Sequence, residues 1–405
     1  MNTLKTIIFI NTNKSGSSRE AIRAAENLGY YTVLFTNNEK QIQQRTSYPD
    51  VHKMILVDTS NRIEMKKAVH KLKALSFEIA LIVSFVDSYV YIASVLCDEF
   101  CQNYTLSNAL KVMEDKEETR QVFNKYPFTI NYLSIKPNDS ILHENMKFPI
   151  IIKSPKSAGS KDVLLASNKK ELEKHVSYLR SRNPKENVIL EEYITGPQFL
   201  IEVVIHNSTP NIIAFIEQEI TKGKRFIITG YSVLAEVPEK YKAGIEEILQ
   251  TIVSELKIQN GAMHLEIRHT KSGLKLIEIN PRISGGAMNR MIQAAYGFNL
   301  VEETLKLYLG EQPNIKAKYK YFVFTKYIVL KRKGVLVKVT GRNRASEGKG
   351  VVEVYIKPRK GTLLIPPLSM GHRYAYIIAK GNTKIEARKN ALKAAKEIQF
   401  HLKAQ

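Results

Sequence analysis

Residues 261–286 read GAMHLEIRHTKSGLKLIEINPRISGG and carry most of the structural information in this 405-residue sequence. Apolar and polar side chains alternate over His264–His269 and again over Lys275–Asn280, which predicts two β-strands. The segment Thr270–Gly273 joins them and contains a Ser-Gly turn. The sequence therefore predicts an antiparallel hairpin.

Two glutamates and an asparagine are expected on one face of this hairpin. Residues two apart in a strand share a face, so Glu266 on one strand and Glu278 with Asn280 on the other can converge on one point. Carboxylate and amide oxygens suit Mg²⁺, which binds oxygen ligands together with nucleotide phosphates. The alternative is a solvated hairpin face with an Arg–Glu pair.

The turn after the hairpin, Asn-Pro-Arg-Ile-Ser-Gly-Gly, favours a metal and substrate site. Arg282 is available there for an anionic acyl group, and Gly285 and Gly286 allow a ligand to approach the backbone closely. Ser284 precedes the two glycines. Together these four residues are candidates for the catalytic loop.

A second signal is Lys153, at the end of the predicted strand Phe148–Lys153. The loop Ser154–Lys161 follows it and is rich in Gly, Ser and Lys. A strand-end lysine followed by exposed N–H groups can hold β- and γ-phosphates, although an ordinary basic loop has the same composition. A third segment, Glu191–Pro197, predicts a strand that runs into a turn.

The first hundred residues alternate between short apolar runs and helical patterns. The predicted strands are Thr6–Asn11, Tyr31–Thr36, Met54–Asp58 and Glu78–Ser84, and the predicted helices are Ser18–Leu28, Arg62–Leu75 and Tyr89–Phe100. Such alternation is typical of βαβ units with a parallel sheet. The sequence contains no G-x-x-x-x-G-K-[ST], H-E-x-x-H or G-x-S-x-G, which excludes a P-loop, a zincin and a hydrolase elbow.

The rest of the chain predicts a compact unit, a strand-rich region and a final module. After the turn-rich stretch 127–149, the compact unit has the size of a mobile lid, with elements Phe148–Lys153, Asp162–Ala166, Lys169–Arg182 and Val188–Tyr193. Strands dominate from Phe199 to Pro238, and helices are predicted over Ala243–Leu256 and Met291–Leu309. A separate α+β module is predicted after Pro313, with strands Tyr321–Leu330, Val335–Thr340, Val351–Ile356 and Tyr374–Ala379 and a last helix Ile385–Leu402.

Positive charge is concentrated in that module. Residues 313–405 contain 22 Lys and Arg against four Glu and no Asp, a net charge of +18 out of +22 for the whole chain. A basic module of this kind can bind polyanions, although a solvated basic surface or a field that steers an anionic substrate has the same composition.

The cysteines and the hydropathy pattern restrict the location of the protein. Cys97 and Cys101 are the only cysteines, which excludes a disulfide framework and a Cys-based zinc site and predicts two small core residues. The most apolar stretch, Phe85–Cys97, is interrupted by Asp87 and is shorter than the roughly 18–20 residues of a membrane span. No signal-peptide core precedes Asn11. We expect a cytoplasmic protein without a membrane partner.

In this order and spacing, the segments resemble the ATP-grasp superfamily over about residues 105–312. The resemblance implies an ATP-grasp fold within a multidomain chain of α/β and α+β class. An N-terminal parallel α/β domain is expected over residues 1–114 and the basic C-terminal α+β module over residues 313–405. Between them, residues 115–312 are expected to hold a lid subdomain at about 148–194 and a catalytic subdomain at about 195–312.

The resemblance also implies nucleotide contacts. Lys116, in an Asp-Lys-x-x-x-Arg segment, resembles a phosphate-contacting lysine, and Lys153 resembles the strand lysine on the α- and β-phosphates. The segment 157–161 resembles the flexible lid over these phosphates, with Ser157, Gly159 and Ser160 as contacts. The segment that resembles the adenine hinge, which hydrogen-bonds through its backbone, consists of Glu191, Glu192, Tyr193 and Ile194. Gln198 stands where the family usually has an acidic ribose ligand.

The same resemblance implies a metal site and a reaction. Glu266 and Glu278, 12 residues apart, resemble the metal-binding pair, with Asn280 as third ligand and Arg282 as the residue that steadies an acyl phosphate. ATP and two Mg²⁺ or Mn²⁺ ions are the implied cofactors. In the family, ATP phosphorylates a carboxylate and an amine then attacks the acyl phosphate.

Within the superfamily, the chain looks most like the L-amino acid ligases, the dipeptide synthetases of the bacilysin and rhizocticin type. The segments that carry this likeness are 261–266, the P-R-I-S-G-G turn and 296–300, and they imply two amino-acid substrates. Another carboxylate–amine ligase, of purine-pathway or amino-sugar type, stays open. A nucleotide sensor that grips nucleic acid through the basic module is disfavoured by the intact metal and phosphate residues. Exposed apolar strands expected near residue 90 leave a homodimer open.

Overall fold

The computed structural model describes residues 3–101, 107–140, 146–156, 162–221 and 227–404 of the chain. Three predicted lid contacts, Ser157, Gly159 and Ser160, lie outside these ranges.

The first hundred residues form a four-stranded parallel sheet with its helices. The elements are β1 Leu4–Ile10, α1 Ser17–Asn27, β2 Tyr31–Thr36, α2 Glu39–Gln43, β3 Lys53–Leu56, α3 Arg62–Ala74, β4 Phe77–Val83 and α4 Val90–Phe100. The strand order is β3-β2-β1-β4 and every pair is parallel, which confirms the predicted βαβ alternation. Residues 7–10 of the central strand are at most 2% exposed, as expected for a strand that is covered on both faces.

A four-stranded antiparallel sheet follows. The elements are α5 Ser107–Glu114, α6 Lys116–Val122, β5 Tyr132–Ile135, β6 Ile150–Lys153, β7 Val163–Ala166, α7 Lys169–Arg182 and β8 Val188–Glu192. The strand order is β5-β8-β6-β7. The predicted compact unit is present, but β5, in the turn-rich stretch 127–149, was not predicted. Its four residues are stable as a strand because β8 provides hydrogen-bonding partners along its whole length.

One eight-stranded sheet continues from the hairpin into the C-terminal module. The remaining elements are β9 Gln198–His206, β10 Thr209–Thr221, β11 Ile227–Val233, α8 Glu239–Glu255, β12 Gly261–Thr270, β13 Gly273–Asn280, α9 Met288–Tyr296, α10 Leu300–Tyr308, β14 Phe322–Ile328, β15 Gly334–Thr340, α11 Arg342–Ser346, β16 Val351–Ile356, β17 Leu363–Leu364, β18 Ala375–Gly381, α12 Lys384–Glu397 and β19 Gln399–Lys403. The strand order is β13-β12-β9-β10-β11-β14-β18-β16. The C-terminal module is therefore not separate as expected, because β14 pairs with β11 and covers what would otherwise be an open edge.

The prediction of one continuous helix over Met291–Leu309 is wrong, since the structure has two helices there. Gly297 ends α9 in the left-handed conformation, with φ of +85°. Asn299 then caps α10 by accepting a hydrogen bond from the N–H of Glu302. A left-handed glycine and an Asn cap two residues later are a standard stop and start for helices.

The predicted last helix, Ile385–Leu402, ends early. Helix α12 stops at Glu397, and β19 begins at Gln399 and pairs with β15. The helix is held by small apolar residues on one face, Ala387, Ala391 and Ala394. The last buried residue of this helix face is Ala394, and the residues after Glu397 pair with β15 as a strand instead of continuing the helix.

Residues 90–100 form helix α4, so the exposed apolar strands expected near residue 90 are absent from this segment. Val90, Ala93, Leu96 and Cys97 are buried against the parallel sheet. The surface on which the homodimer expectation rested is therefore not present. Cys97 is 2% exposed and Cys101 is partly buried, as expected for core residues. Within the described ranges, no helix combines the length and the apolar character that a bilayer crossing demands.

Candidate active site

The hairpin β12–β13 places the two predicted metal-binding glutamates directly opposite each other. Glu266 is in register with Glu278, and His264 is in register with Asn280. Burial, reinforced by the Glu278 charge, raises the pKa of the Glu266 carboxyl. The structure thus brings the three predicted ligands to one face of the sheet.

These three side chains fit a divalent cation. Two facing carboxylates repel each other when both are ionised, and a cation between them removes that cost. Carboxylate and amide oxygens are also the hard ligands that Mg²⁺ prefers. In the described part of the chain, no group of three or more His, Cys, Asp or Glu side chains could hold a metal ion. An ion held here would therefore take its other ligands from water and substrate oxygens, as Mg²⁺ commonly does.

Two buried lysines contact carboxylates beside this pair. Lys116 Nζ lies 3.2 Å from Glu278 Oε1, and Lys153 Nζ lies 2.5 Å from Glu191 Oε2. The N–H of Lys116 donates to the carbonyl of Pro155 at 3.1 Å, which ties the start of α6 to the loop after β6. Each ammonium group is therefore positioned by a carboxylate. Phosphate oxygens of a nucleotide can compete with that carboxylate for the ammonium group.

Glu191 has a role that the sequence analysis missed. Its resemblance to a hinge residue assigns its backbone to adenine, whereas its side chain is buried and accepts a 3.0 Å hydrogen bond from Arg120 Nε. Burial alone raises the pKa of Glu191, but Arg120 and Lys153 outweigh it and hold the pKa below its usual value. Arg120 also donates to the carbonyl of Ile277 in β13 at 2.7 Å. Glu191 therefore links the small sheet to the hairpin.

The other predicted hinge residues lie at the end of β8. The N–H of Glu192 donates to Asn131 at 3.0 Å, so its backbone belongs to the sheet. Tyr193, 39% exposed, and Ile194 follow the last residue of the strand. The carbonyl of Ile194 accepts a 2.7 Å hydrogen bond from Arg268. The contact of this segment with adenine stays a prediction.

Gln198 connects the hinge to the metal face. Its Nε2 donates to Glu266 Oε2 at 2.7 Å, and its Oε1 accepts from Arg268, which also contacts Ile194. An acidic residue at this position could not donate to Glu266. The departure from the family pattern at Gln198 therefore gives Glu266 an additional hydrogen bond.

Arg282 contacts the N-terminal domain. Its Nε donates to Asp87 Oδ1 at 2.5 Å, and its Nη1 donates to the carbonyl of Ile283 at 2.8 Å. Asp87 is 195 residues away in sequence and begins the short 3₁₀ turn after β4. The partner that fixes the orientation of Arg282 is therefore supplied by tertiary packing, and no local pattern indicated it.

Glu202 is a second residue of the candidate site that was not predicted from the sequence. It is fully buried on β9, in register with His264, and its Oε1 lies 2.6 Å from His264 Nδ1. Its Oε2 accepts the N–H of Ser284 at 3.1 Å, and the Ser284 hydroxyl also donates to the carboxylate. Burial raises the pKa of Glu202, but His264 and Ser284 outweigh it and lower the pKa. The single charge inside the apolar run 199–205 was the available signal.

The N-terminal domain also packs against the catalytic loop at its glycines. The Ser17 hydroxyl donates to the carbonyl of Ser284 at 2.6 Å. A Cβ built at Gly16, where φ is +83°, would lie 2.8 Å from the N of Gly286. A Cβ at Gly285 or Gly286 meets no described atom within 4 Å, so this side of the loop is open to a ligand.

Replacing Gly16 by Ala should therefore displace the loop as well as strain the backbone. The backbone conformation of Gly16, with φ of +83° and ψ of −170°, alone costs a non-glycine residue about 1–3 kcal/mol. The contact with Gly286 should add at least about 1 kcal/mol, typical of overpacking. Urea unfolding measures the sum. Gly29→Ala is the matched control, because φ is +85° there and no atom lies within 4 Å of the new Cβ. Equal losses in the two variants would contradict the close approach of the two domains.

A separate cavity lies away from the predicted site residues. It has a volume of about 970 Å³ and lies between α8 and β10, with Phe215, Glu246, Tyr296 and Lys320 among its lining residues. None of the predicted site residues lines it. The candidate site is thus distinct from this cavity.

Comparisons with known proteins agree with this geometry. Residues 146–290 match the family described as ATP-grasp domain, and residues 326–403 match the family described as L-amino acid ligase C-terminal domain 2. The chain is 23% identical over 335 residues to the uncharacterized protein y4rH of Sinorhizobium fredii, covering 81% of this chain and 69% of that protein. It is 34% identical over 89 residues to the L-arginine-specific L-amino acid ligase of Bacillus subtilis, covering 22% of this chain and 21% of that one.

A solved structure shows the same fold over the whole length. The crystal structure of an L-amino acid ligase from Bacillus licheniformis superimposes with a TM-score of 0.83, 18% identity and 100% of both chains covered. The two family matches fall on the segments that hold the glutamate pair and the strands β14–β19. Residues 146–290 therefore form an ATP-grasp domain, and residues 326–403 match the second C-terminal domain of L-amino acid ligases.

Proposed function

We propose that this protein is an ATP-dependent L-amino acid ligase, which joins two amino acids into a dipeptide and releases ADP and phosphate. The observation that carries the proposal is the opposed pair Glu266 and Glu278, with the ammonium group of Lys116 3.2 Å from Glu278. The match of residues 326–403 to a domain of L-amino acid ligases supports amino acids as the substrates.

The proposed reaction has two steps. A carboxylate oxygen of the first amino acid attacks the γ-phosphorus of ATP, the bond to the β–γ bridging oxygen breaks, and ADP leaves. The amine nitrogen of the second amino acid then attacks the acyl carbon, loses a proton, and expels phosphate. Negative charge on the phosphoryl oxygens must be held in both steps, so positioning and electrostatic stabilisation are the main tasks of the protein.

The residues of the site match these tasks. Glu266, Glu278 and Asn280 would hold Mg²⁺ or Mn²⁺, which neutralises and orients the phosphates when bound. Lys116 and Lys153 both act electrostatically on Glu266, and each would exchange its carboxylate for phosphate oxygens. The backbone N–H groups of the catalytic loop, on the open side at residues 285–286, would receive the acyl phosphate together with Arg282.

A phosphate-release screen of pairwise L-amino acids with Mg·ATP and without nucleic acid tests the proposal, with mass spectrometry of the products. We expect phosphate release that needs two amino acids and yields a dipeptide. Release that needs a purine precursor or an amino sugar instead would overturn the amino-acid assignment. Release that appears only with nucleic acid would favour a nucleotide sensor.

The variant Arg282→Lys should lower turnover by about tenfold to a hundredfold, because lysine keeps the charge but loses the planar fork that holds two oxygens. ATP affinity should stay within about twofold, since the phosphate-contacting lysines are intact. Turnover and nucleotide affinity of the same preparation are the measurements. Arg290→Lys, on the exposed start of α9, is the matched control and should behave as wild type. A proportional loss of ATP affinity, turnover and stability in Arg282→Lys would mean that Arg282 has only a structural role, through its contact with Asp87.

A further inference from the structure

The eight-stranded sheet carries a row of tyrosines on the same face as Glu266. Directly opposed residues of antiparallel strands share a face, and the register runs from Glu266 through Leu200 and Ile216 to Val233. Tyr231 is two residues before Val233 and therefore lies on that face. The C-terminal strands β14 and β18 extend the same surface beyond β11.

The C-terminal domain adds two rings and an arginine to this surface. The ring of Tyr231 lies 5.9 Å from that of Tyr327, which lies 5.8 Å from that of Tyr376. The guanidinium carbon of Arg373 lies 3.9 Å from the centre of the Tyr327 ring, a cation–π contact. Burial raises the pKa of Tyr231, and the positive charge of Arg373 nearby opposes that rise. Tyr231, on the face of Glu266, is therefore connected to Arg373 through the ring of Tyr327.

Arg373 has donor capacity that the described residues do not use. Its Nε donates to the carbonyl of Met370 at 3.2 Å. Its Nη1 is buried and has no hydrogen-bond partner among the described residues. No described carboxylate lies within ion-pair distance of the partly buried Arg373, whereas the two buried arginines of the described residues each pair with one, Arg19 with Asp50 and Arg120 with Glu191.

Two further buried donors on this face also lack partners. Arg268 Nε and the hydroxyl of Thr325 have none among the described residues. Arg268 is in register with Gln198, and Thr325 is in register with Tyr231, so both belong to the row that leads from Glu266 to Arg373. Buried polar groups are almost always satisfied in folded proteins, so the unpaired Nη1 of Arg373 requires a partner, either an ordered water or a polar ligand.

We propose that Arg373, with Tyr231 and Tyr327, binds the α-carboxylate of the amino acid that donates the amine. This rests on the proposed function, because a ligase of two amino acids must handle two carboxylates. The one that is phosphorylated has to reach the glutamate pair and the phosphates. The other is unchanged by the reaction and needs its own cation, away from the phosphoryl charge.

The chemistry of Arg373 fits that carboxylate. A guanidinium offers two parallel N–H groups to a carboxylate, and the ring of Tyr327 holds its plane in place. The net charge of +18 over residues 313–405 favours the carboxylate end of a zwitterionic amino acid near this domain. The proposal assigns the C-terminal domain a direct part in substrate binding.

Titration calorimetry on the full chain tests this. The protein is loaded with Mg²⁺ and a non-hydrolysable ATP analogue and titrated with a panel of L-amino acids and, for each, its carboxamide. We expect wild type to bind a subset of the amino acids much more tightly than their amides. Arg373→Met should weaken binding of that subset by at least about 30-fold, the effect of removing one partner from a buried charge pair, and should leave the amides within about twofold.

Two further variants keep the test decisive. Arg359→Met removes an exposed charge from the same domain and should behave as wild type. Tyr231→Phe keeps the ring and removes its hydroxyl, a donor for the proposed carboxylate. It should reduce the preference for acid over amide several-fold even if Arg373→Met does not fold, a condition that its melting curve reveals.

The outcomes separate the two proposals. Equal weakening of acids and amides by Arg373→Met, or no weakening, overturns the carboxylate subsite whatever the ligation screen shows. Tight binding of no amino acid in the panel also overturns it. Arg373-dependent acid preference supports the subsite, and failure of the ligation screen alone then rejects only dipeptide synthesis.

Discussion

Replacing Glu278 by Gln is expected to lower turnover by at least about two to three orders of magnitude, comparable to the loss of a major electrostatic element in other enzymes. The glutamine keeps the size of the side chain but removes one of two facing negative charges on the hairpin. A divalent cation would lose a carboxylate ligand, and the phosphoryl oxygens would lose the charge that it places there. Steady-state turnover and nucleotide affinity at several Mg²⁺ concentrations measure the effect.

The same substitution should change the stability little. Lys116 loses its ion pair with Glu278, but Glu266 is relieved of the repulsion that raises its pKa. The two effects oppose each other, so the melting temperature should move by only a few degrees. Glu246→Gln, on the exposed face of α8, is the control and should match wild type in every measurement. Turnover retained in Glu278→Gln with unchanged melting would reject the metal assignment.

Local signals in the sequence were sufficient for the hairpin and for the parallel sheet. Alternation over 264–269 and 275–280, with a short turn between them, predicts that the two strands pair. The exact pairing of Glu266 with Glu278 depends in addition on a one-residue register shift between Glu266 and Ile267. The continuous apolar runs of β1 and β2 predict buried parallel strands, because helices cover both faces of a parallel sheet. For the hairpin and the strands β1 and β2, the local pattern of apolar residues is therefore enough to predict the type of element and its burial.

The contacts that the sequence did not reveal join residues far apart along the chain. Arg282 and Asp87 are 195 residues apart, and Arg120 and Glu191 are 71 apart. Which charges meet depends on how the domains pack, and packing has no local pattern. The break at Gly297 is different, because the sequence does contain its signals, the glycine and the Asn cap that follows. The apolar residues keep a helical period on both sides of the break, and this period favoured the prediction of one continuous helix.

The largest expected effect on stability belongs to Glu191. Its carboxylate is 3% exposed and pairs with Arg120 and Lys153, which are 2% and 5% exposed. Glu191→Gln leaves two buried cations facing a neutral amide, and breaking a buried pair from one side costs about 3–5 kcal/mol. Chemical unfolding followed by circular dichroism measures the loss. Glu192→Gln, the neighbour that contacts Asn131, is the matched control and should lose less than about 1 kcal/mol.

Nucleotide should then recover more stability in Glu191→Gln than in wild type. In wild type, phosphate oxygens have to compete with Glu191 for Lys153, whose ammonium lies 2.5 Å from that carboxylate. In the variant this competition is gone, so binding of an ATP analogue with Mg²⁺ to the folded state is stronger, and stabilisation grows with the ratio of ligand concentration to Kd. The rise in melting temperature on adding nucleotide should therefore be larger in Glu191→Gln. A rise equal to that of wild type would mean that Lys153 stays with its structural partners and does not contact the phosphates.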